Sequence, residues 1–332
     1  MNQNILKETV SRLVASPKGI LAIDESINTC NKRFEKLGIP QTDEKRQEYR
    51  ELLVTAPMIE NYVSGYITFD ETIRQSTKDG RKFSDVLKGK GVDVGIKVDT
   101  GLKEIEGCEG EKFTDGLEGL DARLKEYREM GATFAKWRAV YNITDKTPSE
   151  ACMQVNAKSL ARYALLCQEN DIVPIVEPEV LYEGSHSIEE CYEVTAKNFK
   201  ILFAELSQTG VYVEGIILKT SMVLAGKDAV EKSTTEQVAE MTLRCLKENV
   251  PSNIGGIVFL SGGISDKEAT LNLNQMHKMG TLPWPLSFSY GRAIQNEALK
   301  AWASNPADLS SAQALLVKAA EANSLASVGK YE

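Results

Sequence analysis

Between residues 172 and 219 the chain reads Ile172-Val-Pro-Ile-Val-Glu-Pro-Glu179, then Ser187-Ile-Glu-Glu190, then Val213-Glu-Gly-Ile-Ile-Leu-Lys219. The two outer runs are apolar without strict alternation. That pattern predicts strands covered on both faces, as in a parallel sheet. The middle segment pairs a serine with a glutamate three residues on, the signature of a capping box that opens a helix. Strand, helix, strand is thus the local unit. Working outward, the same kind of run recurs upstream at Gly19–Asp24, Val63–Phe69, Val92–Val98 and Ala132–Arg138, and downstream at Ile254–Ser261 and Pro285–Ser289. The intervening segments carry further helix starts. Thr147-Pro148-Ser149-Glu150 offers an N-cap threonine, a proline at the first helical position and a glutamate at N3; Ser233-Thr-Thr-Glu236 and Ser265-Asp-Lys-Glu268 repeat the box. After Ser233, Val238, Met241, Cys245 and Leu246 share one helical face, as do Ala157, Leu160, Ala161, Ala164 and Leu165 after Thr147.

Eight such runs alternating with helices predict an α/β fold, a single (β/α)8 TIM barrel spanning 1–332. It has an N-terminal helix over about 1–17, where Ile5, Leu6, Val10, Leu13 and Val14 recur at helical spacing, and C-terminal helices over about 293–328. A doubly wound sheet is the runner-up. It lacks the glycine-rich turn after the first strand, where Asp24-Glu25-Ser26 stands instead.

Composition narrows the chemistry. The 332 residues include two histidines, His186 and His277, so a site with three histidine ligands is excluded and the search moves to Lys, Asp and Glu. Six scattered cysteines with no CxxC pair read as reduced thiols of a cytoplasmic protein. The formal net charge of -8 argues against nucleic-acid partners, and no apolar run nears the roughly 20 residues that span a bilayer.

In such a barrel, active sites form at the C-terminal ends of the strands. Those ends are Asp24, Asp70, Lys97, Lys136 with Arg138, Glu177 with Glu179, Lys219, Ser261 and Ser289-Tyr-Gly-Arg292. Any one charge there reads as a solvated cap; their convergence on one mouth does not. Lys219 closes the apolar Val211–Leu218 run, and burial would favour its neutral, nucleophilic amine, the more so with Lys136 nearby. Glu177 and Glu179 share a strand face and can act as an acid/base pair, although Glu-Pro-Glu alone would simply be a strand-ending turn. Ser261-Gly262-Gly263 and Ser289-Tyr290-Gly291-Arg292 offer hydroxyls, open backbone N–H groups and a guanidinium to a phosphate. Ser26, Thr29, Lys97 and Arg33 could hold a second anion.

The segments Gly-Ile-Leu-Ala-Ile-Asp-Glu-Ser, Gly-Ile-Lys-Val-Asp-Thr-Gly, Phe-Ala-Lys-Trp-Arg, Ile-Val-Pro-Ile-Val-Glu-Pro-Glu, Gly-Ile-Ile-Leu-Lys, Phe-Leu-Ser-Gly-Gly, Phe-Ser-Tyr-Gly-Arg-Ala and Ala-Asn-Ser-Leu-Ala follow one another along the chain. In this order they resemble the class I (Schiff-base) fructose-1,6-bisphosphate aldolases, from about residue 7 to 330. The resemblance implies a lyase of glycolysis, gluconeogenesis or the Calvin cycle, metal-free, without cofactor, and assembled as a homotetramer. It implies that Lys219 forms the imine with the substrate ketone and that Glu177 is the acid/base of carbinolamine dehydration. Asp24 would take the C4 hydroxyl proton, with Lys136 and Glu179 assisting. Ser261, Gly262, Ser289, Gly291 and Arg292 match the 1-phosphate site; Ser26, Thr29 and Lys97 lie near the 6-phosphate, and Arg138 lines the cleft.

Two departures stand out. Many relatives continue Thr-Gly-Ser after the Asp-Glu-Ser, whereas Ile27-Asn28-Thr29 puts a bulky residue and an asparagine in that loop. Many also extend past Gly-Lys-Tyr to a terminal tyrosine that helps protonate the enamine; Tyr331 matches the tyrosine before that tail, so another group or water is expected to protonate C3. Two other readings share the phosphate sites: a transaldolase or isomerase on the same barrel, and a sugar-phosphate-binding scaffold without catalysis. The scaffold has no use for Asp24, Lys136, Glu177 and Lys219 together, and an isomerase needs no imine.

Overall fold

The computed structural model describes residues 1–332. Ten strands form: β1 (Gly19–Ala22), β2 (Val63–Thr68), β3 (Asp93–Lys97), β4 (Gly101–Ile105), β5 (Cys108–Asp115), β6 (Ala132–Tyr141), β7 (Val173–Val180), β8 (Ile217–Thr220), β9 (Gly256–Phe259) and β10 (Leu286–Tyr290). All but β4 and β5 close into a parallel barrel in the order β1-β10-β9-β8-β7-β6-β3-β2, the fold that the eight apolar runs predict. Six of the eight barrel strands are buried along their whole length, β3 is buried up to its last residue, Lys97, and β6 is buried except at the half-buried Thr133 and Arg138; this is why the runs lack alternation.

The barrel interior is a small core of its own. Ile20, Ile67, Phe134, Val173, Ile175, Ile217 and Val258 fill it, and the helix Gln3–Leu13 seals the lower end with Leu6, Val10 and Leu13. Each fully buried side chain of that plug contributes roughly 1.5–3 kcal/mol. Phe134 sets the shape of the layer. A Cβ on Gly95, on the adjacent β3, would overlap its ring, and one on Gly65 of β2 would come within 2.7 Å of Leu13 and 3.1 Å of the ring, so both positions favour glycine.

The structure revises several local expectations. The N-terminal helix covers Gln3–Leu13 rather than 1–17, and the C-terminal helices are Arg292–Ser304 and Leu309–Ala326. Val213–Gly215 is a 3-10 turn and not the start of a strand; the buried Gln168 side chain bonds the backbone of Tyr212 and Gly215 there, the hydrogen bonds a ladder would have made. Ser149, not Thr147, caps the helix Glu150–Glu169. Thr147 is committed to a turn with Thr144, and Glu111 grips both the amide and the hydroxyl of Ser149 at 2.6 Å. Thr234, not Ser233, caps Thr235–Asn249, because the Ser233 hydroxyl accepts from the Ala225 amide. The boxes at Ser187 and Ser265 form as expected. Glu-Pro-Glu is no turn: β7 continues to Val180, paired with β6 throughout. Its pairing with β8 ends at Val176, so Pro178 sits along an open edge where its missing N–H costs nothing.

The antiparallel hairpin β4–β5, in register from Gly101↔Asp115, was not foreseen. It lies across the mouth side of β6, where the Thr114 hydroxyl donates to the Arg138 carbonyl at 2.6 Å.

Candidate active site

Each candidate side chain is placed by the end of a barrel strand. Asp24 follows β1 by two residues. Lys136 and Arg138 sit two apart on β6 and share its inner face, as do Glu177 and Glu179 on β7, where Arg138 is in register with Glu177. Lys219 is on β8, Ser261 follows β9, and Ser289 is the penultimate residue of β10, shortly before the helix opened by Arg292. All of them line one cavity of about 470 Å³.

At its floor four charges alternate. Lys136 Nζ lies 2.7 Å from Asp24 and 3.2 Å from Glu177, whose other oxygen is 3.2 Å from Lys219 Nζ. Lys136, Glu177 and Lys219 are each less than 5 % exposed. Burial alone would push both carboxyl groups up, but the ammonium groups outweigh it. Asp24 is held down to about 2 by Lys136, Lys219 and Lys97, and Glu177 is lowered by Lys136, Lys219 and Arg138. Burial likewise disfavours the charged form of Lys136, and the carboxylates of Asp24 and Glu177 reverse that, keeping it an ammonium. The expected burial of Lys219 is present, and its partner is Glu177. Arg138 is paired with Glu179.

Two poles flank this floor. At one, Gly262 and Gly263 adopt positive φ of +48 and +98, which opens the loop after Ser261. A Cβ on Gly262 would come within 2.7 Å of Leu260, and Arg292 lies against Gly263. The Ser289 hydroxyl is buried and has no hydrogen-bond partner within the chain. At the other pole the Ser26 hydroxyl caps the helix Ile27–Glu35 and lies 3.1 Å from that of Thr29. Ser26 and Lys97 border an adjoining cavity of about 840 Å³, and Asp24, Thr29, Lys136 and Arg138 line both. Lys97 is paired with Asp99 at 2.6 Å, and Arg33 with Glu25 and with Gln295 at 2.8 Å, so neither of these two cations is free of protein partners. Asp70 starts a short helix, bonded to Arg74 and Tyr127, on the rim of the second cavity.

Sequence reasoning missed Lys32, Lys36, Glu25 and Asp99, all of which line these cavities. Lys32 and Lys36 were findable: with Thr29 and Arg33 they follow the i, i+3, i+4, i+7 spacing of one helix face. Asp99 was not, because its turn inward depends on the hairpin that follows it. His277 is spent on the Leu286 carbonyl at 3.0 Å, and no group of three or more His, Cys, Asp or Glu could hold a metal ion.

The family model for fructose-bisphosphate aldolase class-I matches residues 5–332. The chain belongs to the class I fructose-bisphosphate aldolase family. Its relatives agree. A probable class 1 aldolase of Xanthomonas axonopodis is 52% identical over 328 residues, 98% of each chain. Aldolase 5 of Arabidopsis thaliana, named cytosolic, is 48% identical over 97% of this chain and 90% of its own; another, named chloroplastic, is 47% identical. The solved aldolase of Plasmodium falciparum, in a complex with TRAP and a small-molecule inhibitor, superposes with a TM-score of 0.98 at 44% identity, covering 99% of this chain and 95% of that one. The chain is thus a lyase by family, on the family's barrel. No helix is long and apolar enough to cross a membrane.

Proposed function

We propose that the chain splits fructose 1,6-bisphosphate reversibly into dihydroxyacetone phosphate and glyceraldehyde 3-phosphate, without a metal, through an imine on Lys219. The observation that carries this reading is the alternation Asp24–Lys136–Glu177–Lys219 at 2.7, 3.2 and 3.2 Å, buried between the Ser261/Arg292 pole and the Ser26/Thr29 pole. Glu177 is the nearest acceptor for the proton that Lys219 must lose. The free amine attacks C2 of the ketose, and the carbinolamine hydroxyl leaves as water with the proton that Glu177 returns. The iminium then withdraws electrons. Asp24 takes the C4 hydroxyl proton, the C3–C4 bond breaks, its electron pair enters the enamine, and glyceraldehyde 3-phosphate departs. A proton at C3 and a water at C2 release dihydroxyacetone phosphate and restore Lys219.

Lys136 keeps both carboxylates ionised and spaced, and Glu179 orients Arg138. Ser261, Ser289, Arg292 and the amides of Gly262 and Gly291 hold the 1-phosphate; Ser26, Thr29, Lys97 and Arg138 serve the 6-phosphate end, whereas Arg33 lines the first cavity and not the second. A cytoplasmic homotetramer completes the proposal, and native mass spectrometry reads the subunit count.

Borohydride added with dihydroxyacetone phosphate should fix the ligand to the peptide containing Lys219, detected by its mass. Lys219→Ala should abolish both that adduct and cleavage, whereas EDTA should leave cleavage unchanged. Full cleavage by Lys219→Ala, or a wild-type protein that cleaves without ever being trapped, sinks the mechanism.

A further inference from the structure

The loop carrying Asp24 rests on a buried polar network whose Arg50 and Gln295 the steps above do not use. Arg50, on the helix Asp43–Thr55, is 2 % exposed; its guanidinium pairs with the Glu25 carboxylate at 2.9 Å and donates to the Glu25 carbonyl at 3.4 Å. Gln295, on the helix that Arg292 opens, is fully buried. Its side-chain oxygen accepts from Tyr49 at 2.7 Å and from Arg33 at 2.8 Å, and its amide donates to the carbonyl of Ala22, the last residue of β1. Two backbone carbonyls that bracket Asp24, those of Ala22 and Glu25, are each gripped by a buried side chain from a different helix. A guanidinium taken out of water is costly to bury unless its partners are well placed. A solvated loop tip would need neither group.

We infer that Arg50 and Gln295 are positioning residues for Asp24: they fix the backbone on either side of it so that its carboxylate meets the C4 hydroxyl. The assignment rests on the imine reading above. Gln295 reaches the Ala22 carbonyl from the helix that begins with Arg292. None of the network's contacts reaches β7 or β8, which carry Glu177 and Lys219. The two halves of the reaction should then separate. Imine formation draws on Lys219 and Glu177; breakage of the C3–C4 bond draws on Asp24.

The test compares Gln295→Met and Arg50→Met with the unsubstituted protein. Cleavage kcat for fructose 1,6-bisphosphate should fall about tenfold to hundredfold, the cost of misplacing a reacting group by about 1 Å, while borohydride trapping of saturating dihydroxyacetone phosphate stays within about twofold. Arg50→Lys, which keeps the charge and loses the fork, should fall between Arg50→Met and the parent. Unchanged cleavage in both methionine variants overturns the assignment. So does a parallel fall of cleavage and trapping, which marks a merely structural role. Should Arg50→Met not fold, Gln295→Met, which buries no unpaired charge, decides alone. An unsubstituted protein that cleaves but is never trapped overturns the imine reading itself and this assignment with it, an outcome distinct from trapping that is intact in the parent and lost in the variants.

Discussion

Glu177 stands between Lys136 and Lys219, one oxygen toward each, and this single placement makes Lys219 something other than a buried charge. It gives the lysine proton somewhere to go and gives the same proton a way back. Asp24 shows the cost of such an arrangement in acid. Its carboxyl ionises at about 2 in the folded chain, below the ordinary 3.8, because the ammonium groups outweigh burial. A lowered folded value means stability that is complete above the unfolded value, near 4, and is lost as pH falls through about 2. Its size is on the order of 2 kcal/mol. Urea unfolding measured from pH 5 to pH 2 should show Asp24→Asn losing less stability over that interval than the parent; equal slopes would dissociate Asp24 from acid unfolding. Lys219, Glu177 and Lys136 were legible because each ends an apolar run in a fold whose strand ends converge. The engagement of Arg33 and Lys97 was not, since Glu25, Gln295 and Asp99 reach them through tertiary packing that no local spacing encodes.

Among the elements, the barrel strands were legible and several boundaries were not. Thr147 and Ser233 carry cap chemistry in sequence, yet their hydroxyls are drawn into other hydrogen bonds and the next suitable residue takes the cap. The hairpin β4–β5 escaped because its outward strand β4 has no buried residue and so leaves no apolar signal. The interior layer around Phe134 supplies a sharper test. Gly95→Ala, which drives a methyl into the Phe134 ring, should cost about 1–3 kcal/mol in urea unfolding. Gly89→Ala, where the added methyl meets nothing within 4 Å at the end of the helix Phe83–Gly89, should be neutral or stabilising by up to about 1 kcal/mol. If the two behave alike, the packing account of the glycine layer fails.

Across the whole molecule the charge is acidic, -8, while the first cavity is lined by seven lysines and arginines against four acids. Attraction of a bisphosphate is therefore local, and salt should weaken it. Raising ionic strength from about 20 to about 200 mM, which shortens the screening length through about 10 Å, should raise KM several-fold with kcat unchanged. A flat KM would assign binding to short-range hydrogen bonds alone. The barrel's closure carries a different consequence, one for synthesis. β1 hydrogen-bonds to β10, although the ribosome makes Gly19–Ala22 near the start and Leu286–Tyr290 near the finish. Every nascent chain too short to include β10 presents β1 and β9 with rows of unpaired N–H and C=O groups, the templates through which incomplete chains join one another. Protection of the newborn protein from aggregation thus falls to the last strand to emerge, or to a chaperone that covers those edges until it does.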